Sequence, residues 1–305
     1  MARFAVTRVS GIVVTLLGST VIVFAMLHLT GDPTALLLSD SATPHEIAVF
    51  RHVMGFDRPL YLQYLDFLTR LIHGDFGDSL RYQQPAMTVV LSRVPATAEL
   101  MGLAILLSVI VSVPLAFFAA ITNNVVSKGL FRLVTLFGQG IPGFVLAILL
   151  ILIFSVQLRI LPAAGNDSPQ SAIMPSIVLA LYSIPQLTRV LRTSLVSVLQ
   201  SDYIRTARAK GVRRRAIYGK HALRNAVLPF LTLIGVQVGA LLGGSVVTET
   251  VFGWPGMGQL MVQAISNRDY PVVQSGVFFV VTVFLAVNLA VDISYGFIDP
   301  RIKTR

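Results

Sequence analysis

Ten basic side chains and a single carboxylate, Asp202, lie between positions 189 and 224, and inside that run stands DYIRTARAKG (202–211). The chemistry open to such a segment is recognition. It could be a cationic loop held to anionic headgroups by charge alone, or a short helix shaped to enter a groove. Asp202 suits a helix N-cap and Gly211 a helix stop. Tyr203, Ala207 and Lys210 or Gly211 then share one face at i, i+4 and i+7, while Arg205 and Arg208 project elsewhere. Charge alone has no need of Ala207 and Gly211 at fixed offsets, so the spacing favours the helix.

Other reactive groups are sparse. Glu99, Asp292 and His28 fall inside long apolar stretches, where ionisable residues are functional candidates by default. Each lies within about two helical turns of a stretch end, and a proton relay needs a chain of such groups near the middle. Asp292 is instead expected to pair with a residue of the basic run. The chain has no G-x-x-x-x-G-K-[ST] phosphate loop, and no H-E-x-x-H or serine-histidine-carboxylate set that position supports. Zero cysteines exclude disulfides, thiolate metal sites and thiol catalysis. The chain reads as a non-enzyme with no cofactor or metal, and any active transport draws its energy from a bound partner or an ion gradient.

The elements that position these residues are membrane helices. The 305 residues are 54% hydrophobic and 12% charged, with a mean hydropathy of +0.76, far from the balance of a soluble domain. Crossing a hydrocarbon core of roughly 30 Å takes about 20 apolar residues as helix. Runs of that kind occur near 9–29, 97–121, 133–158, 173–196, 226–247 and 272–292, which predicts an all-α polytopic membrane protein with six spans. A signal peptide is the alternative for the first run. Its apolar core, 11–27, exceeds the roughly 7 to 15 residues usual for one, and no small-x-small cleavage site follows, so it reads as a retained span.

Lysine and arginine fix the orientation, because basic loops stay in the cytoplasm. With the N-terminus inside, seventeen basic residues fall on inside segments and seven outside, so both termini and the basic run are expected to be cytoplasmic. The net charge of +10 is concentrated in that run between two spans, which argues against nucleic acid as a partner.

The expected organisation is a first span (1–30), an external segment (31–95), a five-span core (96–298) and a cytoplasmic C-terminus (299–305). The external segment carries GDP at 31 and HGDFGDS at 73, with short helices expected at 44–54 and 59–73; it either caps the outer face or docks an external partner. Pro114, GQGIPG (138–143), Pro175 and Pro185 interrupt spans 2 to 4. Such breaks serve as packing kinks or line a pathway, and Gln139 and Pro142 are the pathway candidates. Gly235, Gly239 and Gly243 repeat every four residues in span 5, a groove for close helix approach either within this chain or against a second membrane subunit. The loop 249–260, ETVFGWPGMGQL, is too apolar to be simply solvated, and reads as a re-entrant plug or an aromatic anchor at the headgroups. Ion-coupled secondary transport or a channel is a competing reading, weakened by the lack of an inverted internal repeat.

DYIRTARAKG (202–211), HALRNAVLP (221–229), VVTETVFGWPGMGQL (246–260), RDYPVVQ (268–274), NLAVDISY (288–295) and DPRI (299–302) together resemble the ABC importer permeases of the dipeptide, oligopeptide and nickel group, above all the dipeptide-permease B type. GFDRPLYLQY (55–64) and HGDFGDS (73–79) extend the likeness to the external segment. The resemblance implies a permease subunit of a bacterial inner-membrane importer that works by alternating access. Its implied partners are a second homologous permease, two cytoplasmic ATP-binding subunits, an extracytoplasmic binding protein, membrane lipid and a peptide substrate. Nickel chelates, glutathione and haem are the other cargoes of the group. It makes 202–211 the coupling helix, with Asp202, Tyr203, Arg205, Thr206, Ala207, Lys210 and Gly211 meeting the ATPase. Gln139, Pro142, Gln237, Gly239, Gly243, Glu249, Phe252 and Trp254 become candidates for the path or its gate. The general importer motif begins Glu-Ala-Ala where this chain has Arg205-Thr206-Ala207, and Leu228-Pro229 lies further from Gly211 than in the general pattern. Both departures are typical of the peptide subfamily.

Overall fold

Long apolar stretches favour long helices, and among its described residues the computed structural model is all-α apart from one isolated bridge between Asp78 and Pro85. It describes residues 2–29, 43–122 and 125–298, without the side chains at 2–9, 27–29, 54, 126–128, 130, 137, 139 and 292–298. The GDP at 31, the side chains of His28, Gln139 and Asp292, and the C-terminal residues 299–305 therefore lie outside the described residues. The helices are α1 (Ala2–Leu29), α2 (Pro44–Met54), α3 (Leu60–Ile72), α4 (Ala86–Ile121), α5 (Val125–Gly140), α6 (Gly143–Leu150), α7 (Ile173–Leu199), α8 (Asp202–Ala209), α9 (Arg224–Val251), α10 (Met257–Ser266) and α11 (Tyr270–Ile298). π-helical stretches extend α6 over Ile151–Gln157 and precede α9 over Ile217–Leu223.

Among the described residues, four helical stretches are long and apolar enough to cross a membrane: Ala86–Ile121, Pro169–Leu199, Arg214–Val251 and Tyr270–Val291. Ser10–Met26 and Gly143–Gln157 are shorter apolar helices at the positions of the first and third expected spans. The third is interrupted at GQGIPG (138–143), where the sequence places a break. Pro142 has no N–H to donate and disfavours helix at Ile141, so α5 stops at Gly140 and α6 restarts with Pro142 at its N-cap. The helix of span 2 starts at Ala86, well inside the stretch expected to be external, because Pro85 opens its first turn by accepting from the Thr88 and Val89 amides.

The chain divides into two compact units. The first comprises Met1–Thr97 and Pro255–Leu285, and holds the two short helices expected at 44–54 and 59–73 as α2 and α3. Thr43 and Glu46 form a reciprocal cap on α2, each accepting a backbone N–H of the other. The Thr43 amide and hydroxyl, both donating to the Glu46 carboxylate, hold it below its ordinary value. The core of this unit gathers Phe67, Phe76, Val89, Val90, Met257, Leu260, Tyr270 and Val272. The α10 N-terminus is tied in by the Met257 amide donating to Thr97 Oγ1 at 2.8 Å.

A buried carboxylate closes the HGDFGDS turn onto this core. Asp269, 2% exposed, accepts from Ser79 Oγ at 2.5 Å, the Leu80 amide at 3.2 Å and the Arg81 amide at 3.4 Å. Its own carbonyl accepts the Val273 amide in the first turn of α11, so one residue joins the turn to the helix start. Asp269→Ala strands those donors and is expected to cost about 3 kcal/mol, with Asp269→Asn losing less; a lower Tm and faster proteolysis at 73–85 in the purified chain would register it.

The second unit comprises Ala98–Trp254 and Ala286–Arg305. Along α4, Ala104, Ser108, Ser112 and Ala116 are all buried at four-residue spacing, a small-residue seam of the kind that brings membrane helices close. Ser108 Oγ donates to the Ala104 carbonyl at 2.7 Å and to the Ala180 carbonyl of α7 at 3.3 Å. Below it, Ala116 clusters with Leu187, Leu191 and Leu195 of α7 and with Ala222, Ala226 and Phe230. α5 meets α7 at Gly138, where even a methyl group would lie 2.5 Å from the Leu181 carbonyl oxygen and from Pro185 Cγ.

Candidate functional site

α8 is short and highly charged, so its own propensity cannot hold it and its termini and one anchor must. Asp202 is not the N-cap predicted from sequence. Ser201 (φ −69°, ψ 152°) is the last non-helical residue, and Asp202 is the first helical one. The Ser201 hydroxyl donates back to the Val198 carbonyl at 2.6 Å, and no side chain caps the helix. Asp202 still places negative charge at the positive end of the helix, and pairs loosely with Arg205 at 3.4 Å.

The far end forms as the sequence predicts. Gly211 adopts φ +73°, its amide donates to the Arg208 carbonyl, and the Val212 amide donates to the Ala207 carbonyl at 3.1 Å. This pair of bonds ends the helix on a left-handed residue that glycine accepts at least cost.

The anchor is Ile204, which is 0% exposed. Sequence reasoning missed it by attending to small and charged residues, although it is the lone branched aliphatic in DYIRTARAKG. Ala207, one turn on, is half-buried, while Asp202, Tyr203, Arg205, Thr206, Arg208, Lys210 and Gly211 are exposed. The expected shared face of Tyr203, Ala207 and Gly211 therefore splits, with Ala207 turned towards Ile204 and the others outward. α8 rests on the π-helical stretch Ile217–Leu223. A second tie reaches α9: Asn225 Nδ2 donates to the Tyr203 hydroxyl at 3.0 Å and to the His221 carbonyl at 2.9 Å. Tyr203→Phe removes that acceptor, and is expected to loosen α8 by about 1 kcal/mol, roughly fivefold faster amide exchange over 202–211.

The pathway candidates are less uniform. Pro142 is exposed at the start of α6, and the Gln139 backbone lies in the last turn of α5. Gln237 is buried, and its Nε2 has no partner among the described residues. The glycine groove of α9 serves two purposes. A Cβ at Gly235 would collide with Val291 of α11, so that end is filled within the chain, whereas Gly243 is exposed with nothing within 4 Å of an added methyl and Gly239 is half-buried.

Glu249, Phe252 and Trp254 are buried, so the loop after α9 is not an aromatic anchor at the headgroups. Phe252 packs with Ala147, Met174 and Val178, and its carbonyl accepts the Gly165 amide at 2.9 Å. The Trp254 amide donates to the Glu249 carbonyl at 2.8 Å, which the positive φ of Gly253 (+57°) makes possible. Glu99 sits on an exposed part of α4. Among the described residues there is no cluster of histidine and carboxylate ligands that could hold a metal.

Residues 112–304 match the family described as the binding-protein-dependent transport system inner membrane component, and residues 1–101 match the N-terminal region described for such membrane components. The glutathione transport system permease protein GsiC of Salmonella typhimurium (strain LT2) is 39% identical over 304 residues, covering 99% of both chains. GsiC of Escherichia coli (strain K12) is 38% identical over the same length. The dipeptide transport system permease protein DppB of Alkalihalophilus pseudofirmus is 36% identical over 332 residues, covering 99% of this chain and all of its own. Permeases of this family work with ATPase subunits, a second permease and a binding protein, and are not themselves catalytic. With both halves of the chain matched and relatives aligned end to end, the protein belongs to the binding-protein-dependent transport system inner membrane components, as a multi-pass permease subunit of a bacterial ABC importer of the peptide and glutathione group.

Proposed function

We propose that this chain forms half of a translocation pathway for small peptides, with the helix at 202–211 as its contact to a cytoplasmic ATPase. The observation that carries this reading is α8 itself: a charged helix seated by Ile204, tied to α9 through Tyr203 and Asn225, and presenting Tyr203, Arg205, Thr206, Lys210 and Gly211 outward. A helix held on one side and bare on the other suits insertion into a partner's cleft. Its motion would pass to α9, which carries Gln237, Gly239 and Gly243.

In this scheme the chain crosses the membrane six times with both termini in the cytoplasm, as its basic residues distribute. Closure of two ATP-loaded subunits draws the paired coupling helices together, and the spans open outward to a docked binding protein; hydrolysis resets them. The open end of the α9 groove, at Gly243 and Gly244, is the face offered to the second permease. Glu249, Phe252 and Trp254 brace the outer end of that helix and gate the path.

The cargo is a short peptide. Glutathione is itself a tripeptide, so the names of the relatives, two glutathione permeases and one dipeptide permease, meet in a small zwitterionic backbone. The deciding experiment is purification with the co-expressed neighbouring subunits, followed by ATPase assays with the binding protein loaded with dipeptide, glutathione, haem or a nickel chelate. Stimulation by the first two alone supports the reading. Stimulation by haem or nickel alone would overturn the cargo, and recovery of no ATPase would overturn the coupling role.

A further inference from the structure

Below Pro185, α7 runs unbroken to Leu199 and passes through Gln200 and Ser201 into α8. Between roughly two and two and a half turns above that junction sits Arg192, half-buried and turned to two other helices. Its Nε donates to the Ala119 carbonyl at 3.2 Å. Its guanidinium carbon lies 5.4 Å from the centroid of the Phe131 ring.

Both contacts are chosen by chemistry. Ala119 stands in the last turn of α4 (Ala86–Ile121), where carbonyls lack the following amide and carry the negative end of the helix dipole, so a cation is favoured there. Phe131 belongs to α5 (Val125–Gly140) and offers the face of its π system. A guanidinium is planar and can donate along an edge while its plane meets a ring. One side chain on α7 thus holds the end of α4 and a point on α5.

We propose that Arg192 is a positioning residue for energy coupling, carrying displacement of the 202–211 helix into α4 and α5. The proposal rests on the coupling role proposed above. Because no proline or glycine intervenes between Arg192 and Leu199, that part of α7 is one rod, and only Gln200 and Ser201 separate it from α8. Arg192 delivers the motion sideways to α4 and α5, adding a polar tie to the packing those helices make with α7 at Ala116 and Gly138.

The test uses the assembled complex in proteoliposomes, reading uptake and ATP hydrolysis together. Arg192→Met is expected to keep ATP hydrolysis while uptake per ATP falls about tenfold, and Arg192→Lys, whose ammonium favours the same carbonyl and ring, to recover most of it. A residue that merely holds the fold would lower yield or Tm and leave the ATP used per substrate unchanged. That outcome overturns the proposal, as does unaltered coupling in Arg192→Met. If Arg192→Met fails to assemble, Phe131→Leu decides, because it removes the ring and keeps the Ala119 bond: more ATP per substrate supports the proposal and an unchanged ratio overturns it. Failure of the unaltered chain to couple any ATPase would overturn the underlying role as well, and is distinguishable because it precedes every variant.

Discussion

Aspartate in place of Ile204 is expected to reduce ATP-driven uptake a hundredfold or more, the largest effect of any single change on α8. Ile204 has no exposed surface, and the rest of the helix is charged, small or outward-facing, so no second apolar side chain can take over its seat. A carboxylate there would be buried without a partner at a cost of several kcal/mol, which α8 escapes by leaving its bed on Ile217–Leu223. A displaced helix cannot transmit force. Ile204→Val, which trims one methylene at about 1 kcal/mol, should keep most of the uptake. Uptake in proteoliposomes, with co-purified ATPase quantified alongside, measures both. Near-parental transport by Ile204→Asp would show that the seat is not what couples α8 to the pore.

Gly138→Val is the second, and acts on folding. The built Cβ lies 2.5 Å from the Leu181 carbonyl oxygen and from Pro185 Cγ. Neither neighbour is the free end of a flexible chain, so α5 must move away from α7 and open the contact along its length. Overpacking of this kind costs about 1 to 3 kcal/mol or more, with two further methyl groups adding to it. The expected result is a sharp drop in monodisperse, folded protein after detergent extraction. Gly243→Ala is the control, since nothing lies within 4 Å of its added methyl, and the isolated chain should tolerate it. Equal yields of the two variants would mean that α5 and α7 do not pack at Gly138.

The glycines show how far local sequence carries. A repeat of Gly235, Gly239 and Gly243 announces a groove, yet Gly235 meets Val291 and Gly243 meets nothing among the described residues, because a neighbour more than fifty residues away in sequence decides which glycine is used. The seam Ala104, Ser108, Ser112 and Ala116 has the same period but does not stand out in sequence, since alanine and serine in a long apolar run look like filler until α7 lies against them. Asp269 is equally hidden. Its partners, Ser79, Leu80 and Arg81, stand almost two hundred residues upstream, and no local pattern marks that distance.

What the sequence determined by itself was the class of molecule and the chemistry it lacks. Hydropathy summed over tens of residues needs no tertiary partner, a missing phosphate loop is missing in any fold, and the basic run singles out 202–211 as the candidate recognition segment without any coordinate. The Gly211 stop was also legible, because a left-handed helix end is a local demand on one residue. Tertiary structure alone decided which side of α8 is held and which is bare. It moved the N-cap from Asp202 to Ser201, set Ile204 beneath, tied Tyr203 to Asn225 and brought Arg192 to Ala119 and Phe131. Those outcomes depend on what lies across a contact, which periodicity within one segment cannot specify.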